Sequence, residues 1–84
     1  WGGEEFLIIC PESNQKGVMT LAQALRKRIQ NYEIEGVGKK TASFGVTVFE
    51  KEDTIATIVG RADKALYMAK AAGRNRVECV MPGG

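Results

Sequence analysis

Two adjacent carboxylates, Glu4 and Glu5, directly follow a glycine pair in the opening run Trp1-Gly2-Gly3-Glu4-Glu5-Phe6. Carboxylate oxygens are preferred ligands of a hard cation such as Mg²⁺, and glycine lets the backbone take positive φ angles and lets a ligand approach closely. A nucleotide-metal site would use all of these properties. A solvated turn with two surface glutamates would use none of them, and on these residues alone both readings stand.

A second constellation lies near the other end, in Arg61-Ala62-Asp63-Lys64-Ala65-Leu66-Tyr67-Met68-Ala69-Lys70-Ala71-Ala72-Gly73-Arg74-Asn75-Arg76. Lys70 falls in the last turn of a helical pattern, and Arg74 follows just past Gly73. Cations there offset the negative end of the helix dipole. A compact ammonium and a forked guanidinium held together also match the charge spread over a triphosphate. Asp63 reads as an ion-pair partner of Lys64, Arg61 or a neighbouring loop, and Tyr67 as a packing residue.

These groups need elements to position them. Phe6-Leu7-Ile8-Ile9-Cys10, bounded by Gly2-Gly3 and Pro11, is a short apolar run that predicts a strand buried on both faces. The glycine pair ahead of it reads as a tight hairpin turn, and a chain that starts inside such a turn suggests that sequence precedes it. From Gln15 to Asn31, Val18, Leu21, Ala22, Leu25 and Ile29 recur at helical steps opposite Lys16, Gln23, Lys27 and Gln30, with Ser13 or Asn14 as the cap. Tyr32 to Lys40 reads as a loop. Ala42, Phe44, Val46 and Val48 then alternate with Ser43, Gly45 and Thr47 as a second strand. Asp53 or Thr54 opens a second helix with Ile55, Ile58, Val59, Ala62, Leu66 and Ala69 on one stripe and Gly73 as a left-handed C-cap. Arg76 to Val80 is a last short strand. The order strand, helix, strand, helix, strand predicts an α/β layer structure with helices covering a sheet.

Eighty-four residues form at most one small, marginally stable domain. The formal charge of +2 creates no field that argues for nucleic acid or a membrane surface. No apolar run approaches the roughly 20 residues of a membrane span. Cys10 and Cys79 sit in apolar stretches with no histidine in the chain, which favours buried, reduced thiols over a disulfide.

Three ordered blocks carry a resemblance to a known family. Gly2-Gly3-Glu4-Glu5-Phe6 is the glutamate form of the GGDEF signature, Ala42-Ser43-Phe44-Gly45-Val46 and Ala62-Asp63-Lys64-Ala65-Leu66-Tyr67 follow at similar spacing, and Ala69-Lys70-Ala71-Ala72-Gly73-Arg74-Asn75-Arg76-Val77 resembles the family's ending. The chain therefore resembles the C-terminal half of a GGDEF domain, the module of diguanylate cyclases, across residues 1–84. The resemblance implies a partial nucleotidyl-cyclase palm-like fold. It also implies an enzyme that condenses two GTP into cyclic di-GMP across a homodimer, with Mg²⁺ or Mn²⁺ as cofactor.

By the same resemblance, Glu4 would coordinate the metal and help deprotonate the attacking hydroxyl. Gly2 and Gly3 would make room for the nucleotide, Glu5 would support the turn and the second subunit's substrate, and Lys70 and Arg74 would contact the triphosphate. The family's upstream metal aspartate, guanine-reading asparagine and aspartate, inhibitory arginine-aspartate motif and central strand precede this segment, so the expectation is that the segment alone is inactive. The alternative is a degenerate module that binds GTP or cyclic di-GMP as a regulator. The parent would be cytoplasmic or anchored through upstream parts, with a sensory or receiver domain ahead of the segment and no nucleic-acid partner.

Overall fold

A computed structural model describes residues 3–34, 36 and 38–83; Trp1 and Gly2 lie outside them. The elements in chain order are strand β1 (Glu4–Pro11), a 3-10 turn (Glu12–Asn14), helix α1 (Gln15–Asn31), strands β2 (Glu33–Ile34) and β3 (Gly38–Lys39), strand β4 (Ala42–Phe49), helix α2 (Ile55–Ala71) and strand β5 (Val77–Cys79). The three principal strands form one parallel sheet in the order β1-β4-β5. Parallel neighbours need a long crossover, which α1 supplies between β1 and β4 and α2 between β4 and β5. The stretch read as a loop contains a small antiparallel ribbon, with Glu33 opposite Lys39 and Ile34 opposite Gly38.

The pleat of β4 sorts the core into two layers. Ala42, Phe44 and Val46 join Ala22 of α1 and Val77 of β5 in one buried cluster, against which Ile8, Val18, Met19, Ile29 and Cys79 pack. Ser43, Gly45 and Thr47 face α2, and all three are buried, although two carry hydroxyls. Each of Val46 and Val48, with essentially no exposure, contributes about 1.5–3 kcal/mol by leaving water.

Helix α2 lies very close to β4. A Cβ on Gly45 would sit 2.6 Å from the Ala62 carbonyl oxygen and closer still to the Leu66 backbone nitrogen. Only a glycine fits under that helix, and the side chains above it are correspondingly small, with Ala62, Ala65 and Ala69 fully buried.

Several expectations are corrected. β1 is an edge strand, paired only with β4 among the described residues, so Phe6, Leu7 and Ile9 are about 40% exposed rather than buried on both faces. The cap of α1 is Asn14, but its side chain makes no capping bond; Ser13 instead donates its hydroxyl to Asn14. Leu21, Leu25, Ile55 and Val59 fall on exposed flanks, because α1 buries Ala22 and α2 buries the line Ala62, Ala65, Leu66 and Ala69. Tyr67 is 68% exposed and is not a packing residue. Both cysteines are free, with Cys10 buried and Cys79 half-buried.

Candidate functional site

β1 opens where Glu4 N–H donates to the Thr41 carbonyl at 2.9 Å. Gly3, immediately before it, has φ +84°, and a Cβ there would lie 2.5 Å from the Thr41 oxygen. Glycine at this position therefore has a reason internal to the chain. Glu4 and Glu5 are consecutive strand residues rather than tips of a turn, so their side chains leave opposite faces of the sheet.

Glu5 lies opposite Ser43 in the ladder and shares the α2 face. There Lys70 Nζ donates to its Oε1 and Arg74 Nη1 to its Oε2, each at 3.3 Å. These bonds, Lys70's first, hold the Glu5 carboxyl below its usual range against an opposing effect of partial desolvation. Glu4, on the other face, accepts from Lys40 Nζ at 3.2 Å and borders an open cleft of about 480 Å³ lined also by Ile29 and Tyr32. The acidic motif and the basic helix end thus meet through Glu5, while Glu4 lies on the opposite face of the sheet beside Lys40. Gly2 lies outside the described residues.

The cations are delivered by a helix fixed at both ends. At its start, Thr54 and Thr57 form a reciprocal capping box, each side chain accepting from the other residue's backbone N–H. At its end, Gly73 with φ +119° lets the chain reverse, its N–H donating to Lys70 O and the Arg74 N–H to Ala69 O, the paired bonds of a Schellman cap. Arg74 and Asn75 continue with φ of 62° and 50°, a conformation uncommon outside glycine. Asn75 is held there from two sides, by its N–H to Ser43 Oγ and by Arg26 Nη1 to its side-chain oxygen. This locks the direction in which Arg74 leaves the helix.

Sequence reasoning missed the group that pins α2 to the sheet. Arg61 donates through Nε to Thr47 Oγ1 at 2.7 Å, through Nη2 to the Val48 carbonyl at 2.7 Å, and through Nη1 and Nη2 to the two oxygens of Asp53. Its partner is Asp53 of the preceding loop, not Asp63. The guanidinium holds the Asp53 carboxyl well below the usual carboxylate range, and Asp53 in turn raises Arg61. The available signal was an acid just ahead of the helix cap and an arginine two turns in. Lys40 lies in the stretch that reads as a loop, where no local pattern signals its pairing with Glu4.

Residues 1–76 match the family described as diguanylate cyclase, GGDEF domain. The chain belongs to the GGDEF family. This GGDEF chain is 39% identical over 77 residues to diguanylate cyclase DgcM of Escherichia coli, covering 92% of the chain and 19% of that protein. It is 39% identical over 83 residues to diguanylate cyclase VdcA of Vibrio cholerae, covering 92% and 24%, and 40% identical over 81 residues to diguanylate cyclase A of Treponema denticola, covering 92% and 22%. The chain spans about a fifth to a quarter of the length of these relatives. No solved structure matches it. A parallel three-stranded sheet with two helices is consistent with part of the GGDEF palm-like fold. Among the described residues no helix is long and apolar enough to cross a membrane, and no three or more Cys, Asp or Glu side chains gather as a metal cage.

Proposed function

We propose that this segment supplies the metal-side glutamate and the phosphate clamp of a diguanylate cyclase, whose complete domain joins two GTP into cyclic di-GMP across a homodimer. The observation that carries the reading is the ionic cluster of Glu5, Lys70 and Arg74, which brings the signature motif and the cationic helix end together across 65 and 69 residues of sequence.

In this reading Lys70 and Arg74 neutralise and orient the triphosphate, the main protein contribution to nucleotidyl transfer. Glu4 is a half-exposed carboxylate beside an open cleft. That suits Mg²⁺ or Mn²⁺, since a small hard cation keeps several waters and takes one or two carboxylates together with the substrate's phosphates. A bound divalent ion polarises the phosphoryl oxygens. Glu4 also accepts the proton of the attacking 3′-hydroxyl. Glu5 is the acid that pairs with both cations before nucleotide binds.

The segment by itself carries one side of this chemistry, so we infer that it does not turn over GTP. The test uses the complete parent domain with GTP and Mg²⁺. The unaltered domain forms cyclic di-GMP, and Glu4→Ala lowers turnover at least a hundredfold, about the scale of losing one essential charge-stabilising or proton-accepting group. Nucleotide binding without turnover in the unaltered domain would instead make it a regulatory binding module.

A further inference from the structure

The two cations assigned to the triphosphate already hold an anion. Glu5 gives one carboxylate oxygen to each, Oε1 to Lys70 and Oε2 to Arg74, as two oxygens of a phosphate would be shared between them. Both bonds are 3.3 Å long, well beyond the 2.7–2.9 Å of tight charge-assisted contacts. The three side chains are 33–42% exposed, so a dissolved anion can reach all of them.

The same chain shows what a permanent carboxylate-cation pair looks like. Asp53 and Arg61 are 2.6 Å apart, with side chains only 7% and 13% exposed and further bonds from the guanidinium to Thr47 and Val48. The Glu5 cluster is far more open to solvent, with side chains 33–42% exposed. Its geometry is that of an exchangeable contact.

We propose that Glu5 is an internal competitor for the phosphate clamp, whose carboxylate occupies Lys70 and Arg74 until a polyphosphate displaces it. This rests on the reading of Lys70 and Arg74 as the clamp. Exchange conserves the bonds to the cations, so an anion gains only by bringing more negative charge than the single charge it replaces. Triphosphate does so, whereas a monoanion such as chloride or acetate does not. Glu5 thereby sets an affinity threshold and biases the site towards highly charged ligands. The neighbouring glutamates divide the work, Glu4 on the metal side and Glu5 as the displaceable counter-charge.

The test is calorimetric titration of the complete parent domain, unaltered or carrying the substitutions below, with inorganic triphosphate, without metal and at low ionic strength. Glu5→Gln, nearly isosteric, is expected to bind about three- to tenfold tighter than the unaltered domain, the scale of releasing two exposed ion pairs. Glu5→Ala should shift in the same direction. Glu52→Gln, which removes an equal charge from an exposed site elsewhere, should change affinity less than about twofold. Lys70→Met should weaken binding both in the otherwise unaltered domain and when combined with Glu5→Gln. Unchanged affinity in Glu5→Gln, with binding still weakened by Lys70→Met, overturns the competitor and leaves the clamp standing. An equal gain from Glu52→Gln reduces the effect to net charge and also overturns the competitor. Affinities that respond to neither Glu5 nor Lys70 overturn the clamp, and the competitor with it.

Discussion

Arg61 grips both carboxylate oxygens of Asp53 while donating to Thr47 and Val48 at the end of β4. Thr47 Oγ1 in turn donates to the Val80 carbonyl just beyond β5. One guanidinium thereby joins the loop before α2, the helix itself and the central strand, and through Thr47 it reaches the third strand. The site cations sit at the far end of the same helix, so this junction sets where they are held.

This junction carries a pH dependence. Asp53 has a lowered pKa in the folded chain, so its contribution is fully present above its unfolded value of about 3.9 and is lost as pH falls through the lower folded value. Thermal melts should show Asp53→Asn clearly less stable than the unaltered chain at about pH 7, with the difference shrinking below about pH 4. An equal gap at neutral pH and at about pH 3 contradicts the assignment.

Gly45 is fixed by the backbone of α2 at Ala62 and Leu66. Gly45→Ala forces the helix off the sheet and should cost about 1–3 kcal/mol in urea unfolding, the range for overpacked cores. Leu21→Ala, on an exposed flank of α1, should stay within about 0.5 kcal/mol of the parent chain.

Thr54 caps α2 through the Thr57 N–H at 3.2 Å. Thr54→Ala should lose about 1 kcal/mol and Thr54→Ser, which keeps the hydroxyl, much less, with faster amide exchange confined to the first turn of the helix. Equal loss in both variants would show that packing of the methyl group, rather than the cap, is responsible.

Cys10 is buried, and burial is the main cause that pushes its thiol pKa up. At about pH 8 a small alkylating reagent should therefore react with half-buried Cys79 well before Cys10, by roughly tenfold or more in rate, as followed by mass spectrometry of the intact chain. Equal rates would mean that the sheet opens faster than the reagent attacks.

Local patterns located both helices, because 3.6-residue periodicity lies within each segment. They did not reveal which strand is central. Phe6 to Cys10 is the more apolar run, yet β4 with its serine, glycine and threonine is the one covered on both faces, since Gly45 and the alanines of α2 permit close packing. The site was legible in its residue types but not in its pairing. Reading Glu4 and Glu5 as a turn concealed the alternation that sends them to opposite faces, and the contacts of Glu5 with Lys70 and Arg74 span too much sequence for any periodicity to show.

The all-parallel sheet has a kinetic consequence. β1 reaches β4 only across α1 and the ribbon that follows it, and β4 reaches β5 only across α2, so no rung of the sheet can form from neighbouring residues. Ladders closed over such loops assemble late and slowly, after helices that can form by themselves. During that delay the run from Phe6 to Ile9 is an uncovered strand available to other molecules, and recovery of the native chain should fall steeply as its concentration during refolding is raised.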